Sequence, residues 1–124
     1  MEQKFFKCSI CGQMVAMVKE TGVPVMCCGK PMDKMIAGTT EASVEKHIPV
    51  VIAENGKVKV SVGEVEHPMI AEHYIEWISV QTKNGNQRKC LSAGQLPYAE
   101  FLIEEDDEIE AVYAYCNLHG LWKA

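Results

Sequence analysis

This sequence predicts a mainly β protein in two parts: a small N-terminal unit stapled by metal, then an antiparallel β-sandwich or barrel. Three observations point there. Four cysteines, Cys8, Cys11, Cys27 and Cys28, crowd a stretch too short to bury a core of its own. Beyond residue 44, short runs of β-forming residues are punctuated by Asn-Gly turns, with no convincing helical period. The chain has 124 residues, 48% hydrophobic and 23% charged, which suits a small folded protein and is too apolar for disorder.

The first unit covers residues 1–37. Phe5-Phe6 and residues 14–18 read as two strands around the turn Cys8-Ser9-Ile10-Cys11-Gly12. A second turn, Cys27-Cys28-Gly29-Lys30-Pro31, follows Pro24-Val25-Met26. With so little core, some of Phe5, Phe6, Val15, Met17 and Met26 are expected to pack against a second copy of the chain. Residues 38–43 are small and polar and read as a linker.

The second domain runs over residues 38–124. Residues 50–53 and 57–62 flank Asn55-Gly56, a strong hairpin signal, and the second run alternates Val with Lys or Ser, so one face is buried. Residues 74–80 form the next strand, and Asn84-Gly85 turns the chain into residues 88–91. Two more strands are expected at 98–103 and 109–115, separated by the solvated acidic turn 104–108. Six or seven strands with no clear helix make a small sandwich or barrel.

Several function classes drop out. The net charge of −5 argues against general nucleic-acid binding, although it is uneven. Residues 1–62 carry eight lysines against six acids, whereas residues 63–124 carry four basic residues against eleven acids. No apolar run approaches the roughly 20 residues of a membrane span. The first residues lack the apolar stretch of a signal peptide, so the expected location is the cytoplasm. In that reducing compartment clustered cysteines signal metal or catalysis, not disulfides.

Cys8-x-x-Cys11 sets two thiolates on one tight turn, with Gly12 free to take a positive φ. Two such turns make a tetrahedral S₄ site that suits zinc or iron. Cys27 and Cys28 are adjacent, and neighbouring side chains on a strand point apart, so the backbone must bend there. A structural zinc knuckle fits the spacing as well as an iron centre does, and a disulfide is the lesser alternative.

All four histidines and one more clustered thiol lie in the second domain. His47 stands at a strand entrance, His67 precedes Pro68, His73 lies in the loop before the 74–80 strand, and Cys116-Asn117-Leu118-His119 offers two ligands from one turn. Four imidazoles and a thiolate exceed what zinc uses. Octahedral iron would keep one position open, and a thiolate opposite it would push electron density toward a bound oxygen species. With ferrous iron the set carries net +1, attractive to a small anion derived from dioxygen. A copper electron carrier would use two histidines, a cysteine and a weak methionine, a poorer match. A zinc-bound interaction module is the other alternative.

The stretches Glu45-Lys46-His47-Ile48-Pro49-Val50, His67-Pro68-Met69, His73-Tyr74-Ile75-Glu76-Trp77-Ile78 and Tyr115-Cys116-Asn117-Leu118-His119-Gly120-Leu121-Trp122-Lys123 closely resemble desulfoferrodoxin, the two-iron superoxide reductase family. The resemblance implies a desulforedoxin-like N-terminal domain with a rubredoxin-like Fe(Cys)₄ centre on Cys8, Cys11, Cys27 and Cys28. It tips that site from zinc toward iron, with zinc possible there on misloading. It further implies a neelaredoxin-like, immunoglobulin-like sandwich, whose iron takes His47, His67, His73 and His119 in its plane and Cys116 on its axis. The implied activity reduces superoxide to hydrogen peroxide, in a cytosolic homodimer fed by rubredoxin. Lys46 would steer superoxide and help protonate the product, and Glu45 would take the open position in the oxidised state. On the bare sequence both residues read equally as a solvated pair. Cys90 lies outside the pattern and reads as a buried or edge-strand thiol without a role.

Overall fold

The computed structural model describes residues 2–40 and 42–124; Glu41, part of the expected linker, lies outside the described residues. The chain divides into two compact units, residues 1–36 and 37–124.

The first unit has five short strands: β1 (Lys4–Lys7), β2 (Met14–Met17), β3 (Met26–Cys27), β4 (Lys30–Pro31) and β5 (Asp33–Lys34). β1 lies between β2 and β5 in one antiparallel sheet, and β3 and β4 form a separate hairpin. Its buried apolar side chains, among the described residues, are Phe5, Cys8 and Met32. Phe5, expected at an interface between copies, is 4% exposed within its own chain. So small a core leaves the four thiols to supply the missing stabilisation.

The second unit opens with a single helical turn, α1 (Val44–His47), which the residue pattern does not predict. One turn is too short to show a 3.6-residue period. It is closed by the Ile48 amide donating to the Val44 carbonyl at 3.1 Å. Seven strands follow: β6 (Pro49–Glu54), β7 (Lys57–Val62), β8 (Ile75–Thr82), β9 (Gly85–Cys90), β10 (Tyr98–Leu102), β11 (Ile109–Cys116) and β12 (Gly120–Lys123). They make two antiparallel sheets, ordered β10-β7-β6 and β12-β11-β8-β9, the immunoglobulin-like sandwich of the expectation. The last strand went unread, because Gly120-Leu121-Trp122-Lys123 is short and abuts the Cys-x-x-His turn.

Val58, Val60 and Val62 of β7 are almost fully buried, as the alternation predicts, and meet Ile78 and Val80 of β8, Phe101 of β10, and Val112 and Ala114 of β11. Asn55 and Gly56 both take positive φ, 51° and 77°, and close the β6–β7 hairpin. The β8–β9 turn falls on Lys83 and Asn84 instead of Asn84-Gly85, since Gly85 already pairs with Thr82. The Asp107 carboxylate accepts from the Asn84 and Glu108 amides, so the acidic turn is partly ordered. Gly38 donates to the Leu121 carbonyl at 2.8 Å, which seats the start of the expected linker on β12. Cys90 is exposed at the end of edge strand β9.

Antiparallel order places the start of β6, the end of β7, the start of β8 and the β11–β12 turn at one end of the sandwich. The pairing of β8 with β11 skips Glu76, so Cys116 faces Ile75 and both point into the core. Such a bulge re-aims a side chain without breaking the sheet.

Ile78, 0% exposed at the centre of β8, reports the core. Ile78→Ala is expected to destabilise the second unit by about 2–5 kcal/mol, whereas Ile52→Ala, at an exposed site, shifts it by less than about 0.5 kcal/mol. Urea unfolding followed by tryptophan fluorescence measures this, because Trp77 and Trp122 both lie in the second unit.

Candidate metal centres

In the first unit, Cys8, Cys11, Cys27 and Cys28 bring their sulfur atoms within 4.8 Å of one another. The Cys8 turn is fixed by its amide donating to the Gln13 carbonyl and by the Gly12 amide donating to the Cys8 carbonyl. Gly12 sits at φ 82°. The bend required at the adjacent pair is present: Cys28 takes φ 52° and Gly29 φ 77°. Left-handed geometry at a non-glycine residue is unusual, and here it turns the Cys28 side chain toward that of Cys27.

The Cys11 and Cys27 sulfurs are 3.6 Å apart, far beyond a disulfide bond of about 2.05 Å. That spacing matches the edge of a tetrahedron with metal–sulfur bonds of about 2.3 Å. The Ile10 and Cys11 amides point at the Cys8 sulfur from 3.4 and 3.5 Å. The Cys11 amide, then that of Ile10, pull the Cys8 thiol down to about 6. Hydrogen bonding with Cys11 and Cys8 pushes Cys27 up to about 12. One ready thiolate with protonated neighbours is a set that loses protons as a cation enters.

In the second unit, ligand atoms of His47, His67, His73 and Cys116 lie within 4.8 Å of one another. His119 joins them, its Nδ1 3.2 Å from His47 Nε2 and 3.9 Å from Cys116 Sγ. The rings stand at the corners of a square. Neighbouring centroids are 4.6 Å (His47–His67), 4.7 Å (His67–His73), 5.0 Å (His73–His119) and 5.0 Å (His119–His47) apart, each pair at 77–87°. Across the diagonal, His47 and His73 are 6.3 Å apart and nearly parallel at 30°.

The hydrogen bonds fix which nitrogens face inward. His47 Nδ1 lies 2.6 Å from the Ser43 carbonyl and His67 Nδ1 2.7 Å from that of Pro68, so both Nδ1 atoms must donate. Each Nε2 is then a bare lone pair, yet the two are only 3.1 Å apart. Two acceptors cannot hydrogen-bond to each other. Burial, with His47 and His67 at 2% and 1% exposure, opposes protonating either ring. Desolvation holds His67 down at about 4 and lowers His47 and His73 too. His73 Nε2 is buried with no hydrogen-bond partner. A cation at the centre satisfies all of these lone pairs together, so the donor set fits a metal ion. Burial also raises the Cys116 thiol, against the pull of the His119 and Leu118 amides, and a metal there would ionise it.

Glu45 and Lys46 lie on α1, two residues and one residue before His47; Glu45 is exposed and Lys46 half-buried. Desolvation lowers His47 and His73 most, and the Lys46 charge adds to it after that of the neighbouring histidines. Three supporting residues escaped the sequence reading. Trp122 stacks on His47 at 4.8 Å and donates to the His119 carbonyl at 3.1 Å. Ser43 contributes only a backbone carbonyl, which no side-chain pattern reveals. Asn117 accepts from the Tyr74 amide at 2.9 Å and donates to the Glu72 carbonyl at 3.1 Å, tying the cysteine turn to the His73 loop. Its place inside Cys-x-x-His was the available signal.

Comparison with known proteins agrees with this geometry. The family model for desulfoferrodoxin matches residues 39–124, and that for the desulfoferrodoxin N-terminal domain matches residues 1–35. A desulfoferrodoxin homolog from Archaeoglobus fulgidus is 44% identical over 119 residues, 96% of this chain and 94% of that protein. The desulfoferrodoxin of Nitratidesulfovibrio vulgaris is 41% identical over 123 residues, 99% of this chain and 96% of that one. The crystal structure of the superoxide reductase from Treponema pallidum superposes with a TM-score of 0.84 at 38% identity, covering 100% of this chain and 99% of that chain.

The bare imidazoles make the metal-free second unit acid-sensitive. An unfolded histidine protonates near 6.5, whereas folded His67 resists until about 4. The unfolded state therefore binds more protons between those values, and stability falls as pH drops from 6.5 toward 4. His67 alone accounts for on the order of 3 kcal/mol across that window. Thermal melts of the metal-free chain by tryptophan fluorescence should fall steeply between pH 6.5 and 5, above the carboxylate range; a flat profile would contradict buried, neutral imidazoles. In the first unit, Cys28→Ser is expected to remove one metal ion per chain and loosen residues 1–36, with the second centre still loaded. Metal analysis with limited proteolysis reads both effects, and loss of both ions together would refute the independence of the sites.

Proposed function

The chain belongs to the desulfoferrodoxin family, and on that premise we propose that it is a superoxide reductase. One superoxide, one electron and two protons give one hydrogen peroxide, and no dioxygen is released. The observation that carries the reading is the square of inward-facing imidazole nitrogens with a buried cysteine beside it. An iron held by four nitrogens and one sulfur would still have room to bind a small anion. Iron, when bound, supplies the one-electron couple between its ferrous and ferric states.

In this reading His47, His67, His73, His119 and Cys116 would together hold the iron. The Ser43 and Pro68 carbonyls keep His47 and His67 in the tautomer that binds metal. Cys8, Cys11, Cys27 and Cys28 hold a second iron with no open position, which suits electron transfer; zinc there is a misloading. Lys46 puts a positive charge at the mouth of the site in a chain of net charge −5, draws the anion in, and offers its Nζ protons to the product. Glu45, on the same turn, is the carboxylate for the open position in the oxidised state. A rubredoxin-like protein donates the electrons.

The working form is a cytoplasmic homodimer. All six cysteines are free, as in a reducing compartment. Among the described residues no helix is long and apolar enough to cross a membrane. Val18, Val23 and Met26 are exposed on the poorly cored first unit, which supports pairing with a second copy.

The test is stoichiometric. With a chemical reductant present, the iron-loaded chain should make one hydrogen peroxide per superoxide consumed, evolve no dioxygen, and contain two irons. Dioxygen release would indicate a dismutase, zinc alone an interaction module, and copper an electron carrier.

A charge about 6 Å from the anion is worth roughly 3 kcal/mol at an effective dielectric of about 20, cut to about 1 kcal/mol by salt. Lys46→Ala is thus expected to slow the second-order reaction with superoxide about five- to tenfold and flatten its salt dependence. The ferric spectrum should stay as in the parent, and Lys46→Arg should recover most of the rate. Pulse radiolysis at two ionic strengths measures this.

A further inference from the structure

Of the nine glycines, Gly63 alone has no room for a side chain. It follows β7 at φ +85° and is buried. A Cβ there would stand 2.6 Å from the Lys46 carbonyl oxygen, 2.7 Å from the Lys46 carbonyl carbon and 2.4 Å from the Val65 carbonyl oxygen. All three are backbone atoms, which cannot swing aside as a flexible side chain does. Backbone hydrogen bonds flank the contact. The Gly63 amide donates to the Ile48 carbonyl at 3.1 Å, and the Val65 amide donates to the Glu45 carbonyl at 3.1 Å. The turn carrying Glu45, Lys46 and His47 is therefore seated, carbonyl by carbonyl, on residues 63–65. The same loop runs on to His67, whose amide donates back to the Val62 carbonyl at 3.4 Å.

We propose that Gly63 is a positioning residue for the superoxide site: its missing side chain lets the Glu45–His47 turn seat on the His67 loop and so fixes how the Lys46 side chain is presented to the imidazole square. The inference rests on the role given to Lys46 above. His47 has an anchor outside this seat, its stack on Trp122 of β12, besides the Ser43 carbonyl at the head of its own turn. A side chain at residue 63 therefore displaces Lys46 first and leaves the ligands in place.

The test uses the iron-loaded full chain. Gly63→Ala should keep two irons per chain and the parent's thiolate-to-iron bands, yet slow the reaction with superoxide about five- to tenfold, as Lys46→Ala does, and flatten the salt dependence. The double variant should be no slower than either single one, because both remove the same charge from the same place. Amide hydrogen exchange at Val65 should accelerate in Gly63→Ala, in the iron-loaded and the iron-free chain alike. Gly94→Ala is the control: Gly94 has φ +91° with nothing within 4 Å, so it takes the backbone strain without the clash, and should match the parent in rate, salt slope and Val65 exchange.

A parental rate and salt slope in Gly63→Ala would overturn the inference while leaving Lys46 its role. A parental rate in Lys46→Ala would overturn the role of Lys46, and this inference with it. Iron loss in Gly63→Ala, or additive losses in the double variant, would mean that Gly63 acts on the ligands and not through Lys46. Should Gly63→Ala fail to fold, the parent decides the matter: Gly63 and Val65 amides as slow to exchange as those of β7 support the tight seat, and amides exchanging at open-loop rates overturn it.

Discussion

Two imidazole nitrogens, each bare of hydrogen, face each other at 3.1 Å on two buried rings. That contact between His47 and His67 is unfavourable in the chain by itself. Protonating either ring would relieve it, but burial makes the charged form more costly still. His73 and His119 extend the same conflict around the square, and Cys116 adds a thiol whose ionisation burial also resists. A polypeptide holds such a cluster only if the surrounding structure fixes each member and a cation resolves the whole. The site is thus a stored electrostatic demand for a metal ion, with the protein supplying the rigidity.

The sandwich meets that need through its topology. Antiparallel strands return their loops to the same end, so α1, the long β7–β8 crossover and the β11–β12 turn converge although their ligands are up to 72 residues apart in sequence. The packed core beneath, from Val62 of β7 to Ala114 of β11, keeps those loops from drifting. The skipped residue Glu76 puts Cys116 opposite Ile75, with both side chains in the core. Backbone carbonyls of Ser43 and Pro68 then orient the rings, a second layer of control that leaves the inner nitrogens free for metal.

The two units use metal for different ends. In the first, Phe5 and Met32 are nearly all of the core among the described residues, and four thiols gather where an ion would staple the fold. In the second, a continuous buried core of β7, β8, β10 and β11 residues lies beneath the ligands and holds them in place. In the proposed reading, room for a small anion at that ion is what would permit chemistry, with Lys46 supplying a local positive charge in an otherwise acidic chain.

Much was legible in the residues themselves. Alternating valines of β7 and the Asn55-Gly56 pair determine a hairpin by side-chain period and backbone φ, both local properties. Cys8-x-x-Cys11 and Cys116-x-x-His119 each place two donors on one turn, again a local matter. The bend at Cys28 followed from the demand that adjacent thiols reach one ion. What stayed hidden is what depends on contacts between distant segments. The single turn of α1 exists because its carbonyls seat on residues 63–65, and the strand Gly120–Lys123 because it pairs with β11. The square order of the four rings, the support of Trp122 and Asn117, and the steric need for glycine at residue 63 arise only when loops from four strand ends meet. Sequence determines which groups are available and which local shapes they prefer; packing of remote backbone alone decides the distances at which those groups face one another.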